Sequence, residues 1–254
     1  MCLETIHESN LSLAWAKAFL KVLNSGQSQV SPLIVKISDF PNQTIPEDPE
    51  IRRSLDDSLV RMQLQSVNRV ANTIFPHSLW NPDLARGVLF DRYKRIWPRI
   101  KIDRLNRYGV YFHRLIAFED GESEVNQLEH IITTWNSHNH RHSALQAALF
   151  DPRKDHSRSR LRGFPCLQQV AFSPIGANGR GGLAVLGFYA TQYIFEKAYG
   201  NYVGLFRLGH FMAKEMNLRL TEMTCIASYA KSGNTPQTAL HDLRADLETK
   251  LGLP

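Results

Sequence analysis

Cysteine is scarce in this chain: Cys2, Cys166 and Cys225 are the only three among 254 residues. An odd, small number builds no disulfide framework, so a reducing cytoplasm is the expected setting. No apolar run approaches the ~18 residues needed to span a bilayer, which excludes a transmembrane helix. The opening MCLETIHESN lacks a basic segment followed by an apolar one, so no signal peptide is read there. Cys2 fits no lipidation pattern. An acidic surplus is missing too: 30 Lys and Arg outweigh 24 Asp and Glu, for a formal charge of +6. Such a surplus points to an anionic partner, whether nucleotide, nucleic acid or anionic surface. With 43% hydrophobic and 21% charged residues, disorder and a coiled coil are both excluded. There is no internal repeat and no linker, so one domain over residues 1–254 is expected.

Periodicity gives a coarse order of elements. Asn10 caps a first helix on which Leu13, Trp15, Ala16, Phe19, Leu20 and Leu23 form a stripe, ending by Gly26. A strand is expected over 33–37 and a second helix over 50–71, with Leu55, Leu59, Met62 and Val70 inward. The aromatic–polar alternation over 108–118 reads as a strand, and 125–135 as a helix. A strand over 143–150 and a polar loop over 151–162 follow. Strands over 165–174 and 183–192 flank IGANGRGG, which has hairpin turn residues. A helix over 200–216, a strand over 218–229 and a last helix after Thr235–Pro236 complete the chain. Strands not separated by helices favour α+β over a regular parallel α/β sheet.

The sharpest chemical signal is RGFPCLQQVAF, residues 162–172. Pro165 fixes the backbone before Cys166 at a strand start, which can present a thiol, a strong nucleophile once ionised, into a cleft. Further on, Gly200-Asn201-Tyr202 opens a long helix 35 residues after Cys166. Earlier stand Tyr108-Gly109-Val110-Tyr111 with Arg114, and Gln127-Leu128 followed by Arg141. Taken in order, over about residues 105–229, these segments resemble the thymidylate synthase family, which includes the deoxycytidylate hydroxymethylases. Cys166 resembles the family's Pro-Cys nucleophile, with Phe172 six residues later.

The resemblance implies a mixed sheet packed against helices and stacked on a partner's sheet in a homodimer. It implies one-carbon transfer to C5 of a pyrimidine, with Cys166 adding to C6. Asn201 would read the ring's amide edge, since a carboxamide donates and accepts at once. An Asn there, rather than Asp, favours a uracil-type ring. Arg141 would reach a phosphate, across the dimer interface, and Tyr111 and Arg114 would also bind substrate. Methylenetetrahydrofolate would be the one-carbon donor. The chain departs from the family's pattern at Leu167, Ala171, Ala190-Thr191 and Tyr193, where a His, a Gln, the phosphate-gripping Arg-Ser pair and a pterin-contacting Asp are expected. His142 replaces the second arginine of a pair, and Gln63 and Gln65 lie near the place of a catalytic Glu. The folate and phosphate contacts are therefore mostly not retained. The alternative reading is a non-catalytic nucleotide- or nucleic-acid-binding protein that keeps the fold.

Other signals have plainer readings. His138, His140 and His142 alternate but have no Cys or acidic partner at metal-motif spacing, so a polar surface segment is expected and no metal. Arg86 to Arg107 carries eight Lys and Arg with Phe90, Tyr93 and Trp97 between them, which is a solvated face or a nucleic-acid contact. That stretch is also a candidate source for the phosphate-binding cation missing at Ala190. A second basic cluster runs from Arg153 to Arg162, close enough to influence the thiol of Cys166. Cys225, Met212, Met216 and Met223 read as core.

Overall fold

The computed structural model describes residues 4–119, 123–138, 141–159, 163–176 and 181–253. Strand β1 (Glu4–Glu8) leads into α1 (Leu11–Leu23), whose N-cap Asn10 accepts the backbone N–H of Ser12 and Leu13 as expected. Strands β2 (Gln29–Val30) and β3 (Leu33–Ser38) follow. The single helix expected over 50–71 is two: α2 (Pro49–Arg61) and α3 (Val67–Ile74). The break falls at Gln63, whose φ of 54° no helix accepts, and Ser66 caps the new start. The turn- and aromatic-rich region beyond Pro76 contains α4 (Gly87–Ile100), with Leu89, Phe90 and Tyr93 buried.

The strand expected over 108–118 is a correction. Residues Tyr111–Ile116 form helix α5, burying Phe112, Leu115 and Ile116. That spacing is helical, and the aromatic alternation before it hid the period. A two-stranded ribbon, β4 (Phe118–Glu119) with β5 (Glu124–Val125), precedes α6 (Gln127–Asn136). The strand expected over 143–150 shortens to β6 (Gln146–Ala148), and the expected loop after it opens with the helical turn α7 (Pro152–Asp155). Then come β7 (Leu167–Ile175), β8 (Gly182–Tyr193), α8 (Tyr199–Glu215), β9 (Leu220–Lys231) and α9 (His241–Lys250). The centre of the expected β7–β8 turn, 177–180, lies outside the described residues, as do Cys2, His140, Arg160 and Arg162.

The main sheet runs in the order β1-β3-β9-β8-β7-β6, with β2 also on β9. Pairings β1–β3 and β8–β9 are parallel and the others antiparallel, so the fold is α+β with a mixed sheet packed against helices. One face of the sheet, including Val35, Cys225, Val185 and Phe172, is buried against α1 and α8. The other face brings Ile34, Ile226, Phe188 and Leu186 together across β3, β9 and β8, all half-buried within this chain. Met212, Met216, Met223 and Cys225 are core residues, as expected. No helix among the described residues is long and apolar enough to cross a membrane.

Between β8 and α8 lies one wide π-helical turn, Ile194–Ala198. Trp15, fully buried on α1, donates its indole N–H to the carbonyl of Ile194 at 2.8 Å. Replacing Trp15 with Phe keeps most of the packing and orphans that carbonyl. The expected cost is about 1–3 kcal/mol, the penalty of a buried unsatisfied group, read as a lower urea midpoint with unchanged slope.

Candidate functional site

A cavity of about 580 Å³ opens at the ends of β7 and β8 and the start of α8. Cys166 and Asn201, singled out from sequence 35 residues apart, both line it. So does Tyr111. Around them stand Gln65, Gln192 and Lys197 and the segment Arg104–Tyr111. No Asp or Glu is among the described lining residues, while Arg104, Arg107 and Lys197 supply three cations.

Cys166 sits one residue before β7, behind a cis Phe164–Pro165 bond. Its carbonyl accepts the N–H of Ala190 at 3.0 Å, and a bulge between Leu167 and Gln169 follows at once. Bulges of this kind re-aim side chains. The Tyr111 hydroxyl oxygen accepts the N–H groups of Cys166 and Leu167, at 3.2 and 3.4 Å. Tyr111 thus holds the backbone of the candidate nucleophile from outside the sheet. Burial pushes the Cys166 thiol up from its ordinary value, while the Lys197 charge and the Tyr111 hydroxyl pull it down. Burial in turn pushes Lys197 down, and the opposite charges of Glu196 and Cys166 pull it up.

Asn201 is 6% exposed, and its carboxamide has no hydrogen-bond partner among the described residues. Lys197 stands one turn before it on the same side, hydrogen-bonded to Gln65. Sequence reading missed Lys197 altogether. The i, i+4 spacing to Asn201 was visible, but the helix was expected to start only at Gly200. Gln65 was noted only as lying near an expected carboxylate; the break between α2 and α3 brings it to the cavity wall.

Arg114 is not in this cavity. It forms a buried two-pronged ion pair with Asp155, whose side chain is fully covered, with Nη2 at 2.9 Å from Oδ1. It also donates to the Leu149 carbonyl at 2.6 Å and lies over the Phe164 ring at 4.7 Å from its centroid. Arg114 therefore clamps the wall that carries Phe164. Gly109, at φ 126°, lets the Phe164 ring approach, since a Cβ there would meet Cε1 at 2.7 Å. Arg141 is exposed at the start of a 3₁₀ turn, His142–Ala144, away from the cavity in this chain.

The first basic stretch divides. Arg86 pairs with Glu129 and Glu215, and Lys94 with Glu124, while Phe90 and Tyr93 are buried. Arg104 and Arg107 line the cavity, which is where a phosphate-binding cation was sought. In the second stretch, Arg153 pairs with Asp151 and Lys154 with Glu119. Among the described residues no three His, Cys, Asp or Glu side chains gather where they could hold a metal.

Removing the Lys197 charge with Lys197→Met takes away an attraction that favours the thiolate. The Cys166 thiol is then expected to titrate at higher pH, and its alkylation by iodoacetamide at a fixed pH near 8 to slow several-fold. An unshifted rate–pH profile would show that the charge does not act on the thiol.

No family model matches the chain, and no curated relative matches it.

Proposed function

We propose that the chain is a divergent, thymidylate-synthase-like enzyme that transfers a one-carbon unit to C5 of a uracil-type pyrimidine nucleoside or nucleotide. The observation that carries this reading is the shared cavity of Cys166 and Asn201, walled by cations and free of carboxylates. A pyrimidine nucleotide is an anion with a flat amide edge. The unpartnered Asn201 carboxamide suits that edge, donating to O4 and accepting from N3–H. Arg104, Arg107 and Lys197 suit the phosphate.

The chemistry assigned to this chain is nucleophilic. The Cys166 thiolate adds to C6, and the C5=C6 electron pair moves into an enolate over C5, C4 and O4. The Asn201 N–H holds the oxygen as charge builds there. C5 then attacks the carbon of an electrophilic one-carbon donor, the bond to the donor's leaving group breaks with its electron pair, and the C5 proton passes to water. Breaking the C6–S bond restores the ring and the thiolate.

The walls do not fit a pterin. Its amino–amide edge needs a carboxylate acceptor, and none lines the cavity; Tyr193 stands where the resemblance places that Asp. A binding role without turnover is the second reading, favoured by the burial that raises the thiol and by the missing carboxylate.

The half-buried apolar face of the sheet, with Ile34, Ile226, Leu186 and Phe188, fits the stacked homodimer that the resemblance implies. A charge there has no solvated position in a stacked pair, so Phe188→Arg is expected to yield monomer by light scattering. A wild-type monomer at micromolar concentration would remove the dimer from this reading.

Incubation with 5-fluorodeoxyuridine and its monophosphate, with and without methylenetetrahydrofolate, is expected to give a covalent adduct by intact mass. The adduct should vanish in Cys166→Ala. No adduct with either pyrimidine under either condition, nor with a single strand that carries 5-fluorodeoxyuridine, would overturn the enzyme reading in favour of binding.

A further inference from the structure

A second cavity, of about 600 Å³, lies against the first. Both fall in the size range of small-molecule sites, roughly 300–1,000 Å³. They share a partition: Asn106, Arg107, Tyr108 and Gly109 line both. The second cavity is walled by Trp97, Lys101, His113, Arg114 and Lys154, and also by Glu119 and Asp151, which pair with Lys154 and Arg153. Trp97 and His113 stack with ring centroids 3.8 Å apart and planes 20° apart. Burial pushes His113 below its ordinary value, which favours the neutral ring that stacks best.

Charge on this partition is uncompensated. Lys101, Arg104 and Arg107 are exposed and make no ion pair among the described residues. Lys94, Arg86 and Lys154 nearby are all paired. The same segment exposes Ile102 and Leu105, at 80% and 61%, beside the two openings. Cations along a path, with a flat aromatic surface beside it, are how single strands are held with little sequence preference.

Resting on the pyrimidine reading of the first cavity, we infer that the substrate is a base within a single-stranded nucleic acid. One nucleotide enters the first cavity. Its neighbour lies in the second against Trp97 and His113, and the phosphodiester between them crosses at Arg107. Lys101 and Arg104 meet the phosphates on either side. A mononucleotide uses only half of this surface.

The test compares a labelled single-stranded (dU)12, followed by anisotropy over a salt series, with dUMP followed by calorimetry. The strand is expected to bind about tenfold or more tightly than dUMP, since one stacked base alone supplies that much. Trp97→Ala should weaken the strand by about five- to a hundred-fold. Because Trp97 also packs on Tyr93, the exposed Lys101→Glu variant provides an arm that folding does not confound. It should lower the affinity for the strand more than that for dUMP. Replacing Lys101, Arg104 and Arg107 with Ala should flatten the plot of log affinity against log salt by about 2, at ~0.7 per single-strand phosphate contact.

A strand that binds no better than dUMP, or a salt slope unchanged in the triple variant, overturns the inference. The Cys166 adduct reads the first cavity separately. An adduct with no gain for the strand removes the strand site alone. Strand binding that depends on Lys101 and Trp97, with no adduct, removes the chemistry alone.

Discussion

The wide turn at Ile194–Ala198 is the constraint on which the site depends. A π-helical turn is rare in itself and sets the angular phase of everything after it. Here it is held from three sides. Trp15 donates to the Ile194 carbonyl, and Phe195 donates its N–H to the Ser232 carbonyl at 3.1 Å. The buried Glu196 carboxylate accepts the N–H groups of Asn234 and Thr235 and the Thr235 hydroxyl. A buried carboxylate is costly unless it is satisfied, so three donors on one oxygen turn a liability into an anchor. With the turn so fixed, Lys197 and Asn201 share the side of the helix that faces Cys166.

The other walls follow from close approaches. Helix α3 lies so near α8 that a Cβ on Gly200 would meet the Val67 carbonyl at 2.8 Å, and one on Gly204 the Ala71 carbonyl at 2.9 Å. That contact brings Val70 and Thr73 of α3, and Gln65 just before it, to the cavity. Opposite them, the Arg114–Asp155 pair holds Phe164 over Gly109 and so fixes the approach to Cys166. Three stretches far apart in sequence thus meet in one pocket, each held by interactions that leave the cavity itself open.

This arrangement explains what could be read in advance. Asn10 as a cap, the strands around β7 and β8, and the coreward Cys225 all rest on local pattern, and local pattern is preserved. Cys166 was legible because Pro165 fixes the backbone at a strand start, while Asn201 was legible only through the resemblance, since the helical turns begin before it, at Ile194. Lys197 was not legible, since its direction depends on a turn that no local signal announces. Arg114 was expected to bind substrate because its partner Asp155 is 41 residues away and the pairing is tertiary. The basic stretch had no register until α4 existed. Its helical part then turned out to be partly neutralised, and its irregular end to carry the unpaired charge.

The electrostatics of the cavity close the argument. Burial disfavours the charged form of Cys166 and the charged form of Lys197 alike. Each charge favours the other, so the pair ionises together more easily than either does alone. Arg104 and Arg107 add two further cations to the same walls. Without Lys197 the thiolate is costlier, which ties the ionisation of Cys166 to a residue whose direction no local pattern announces.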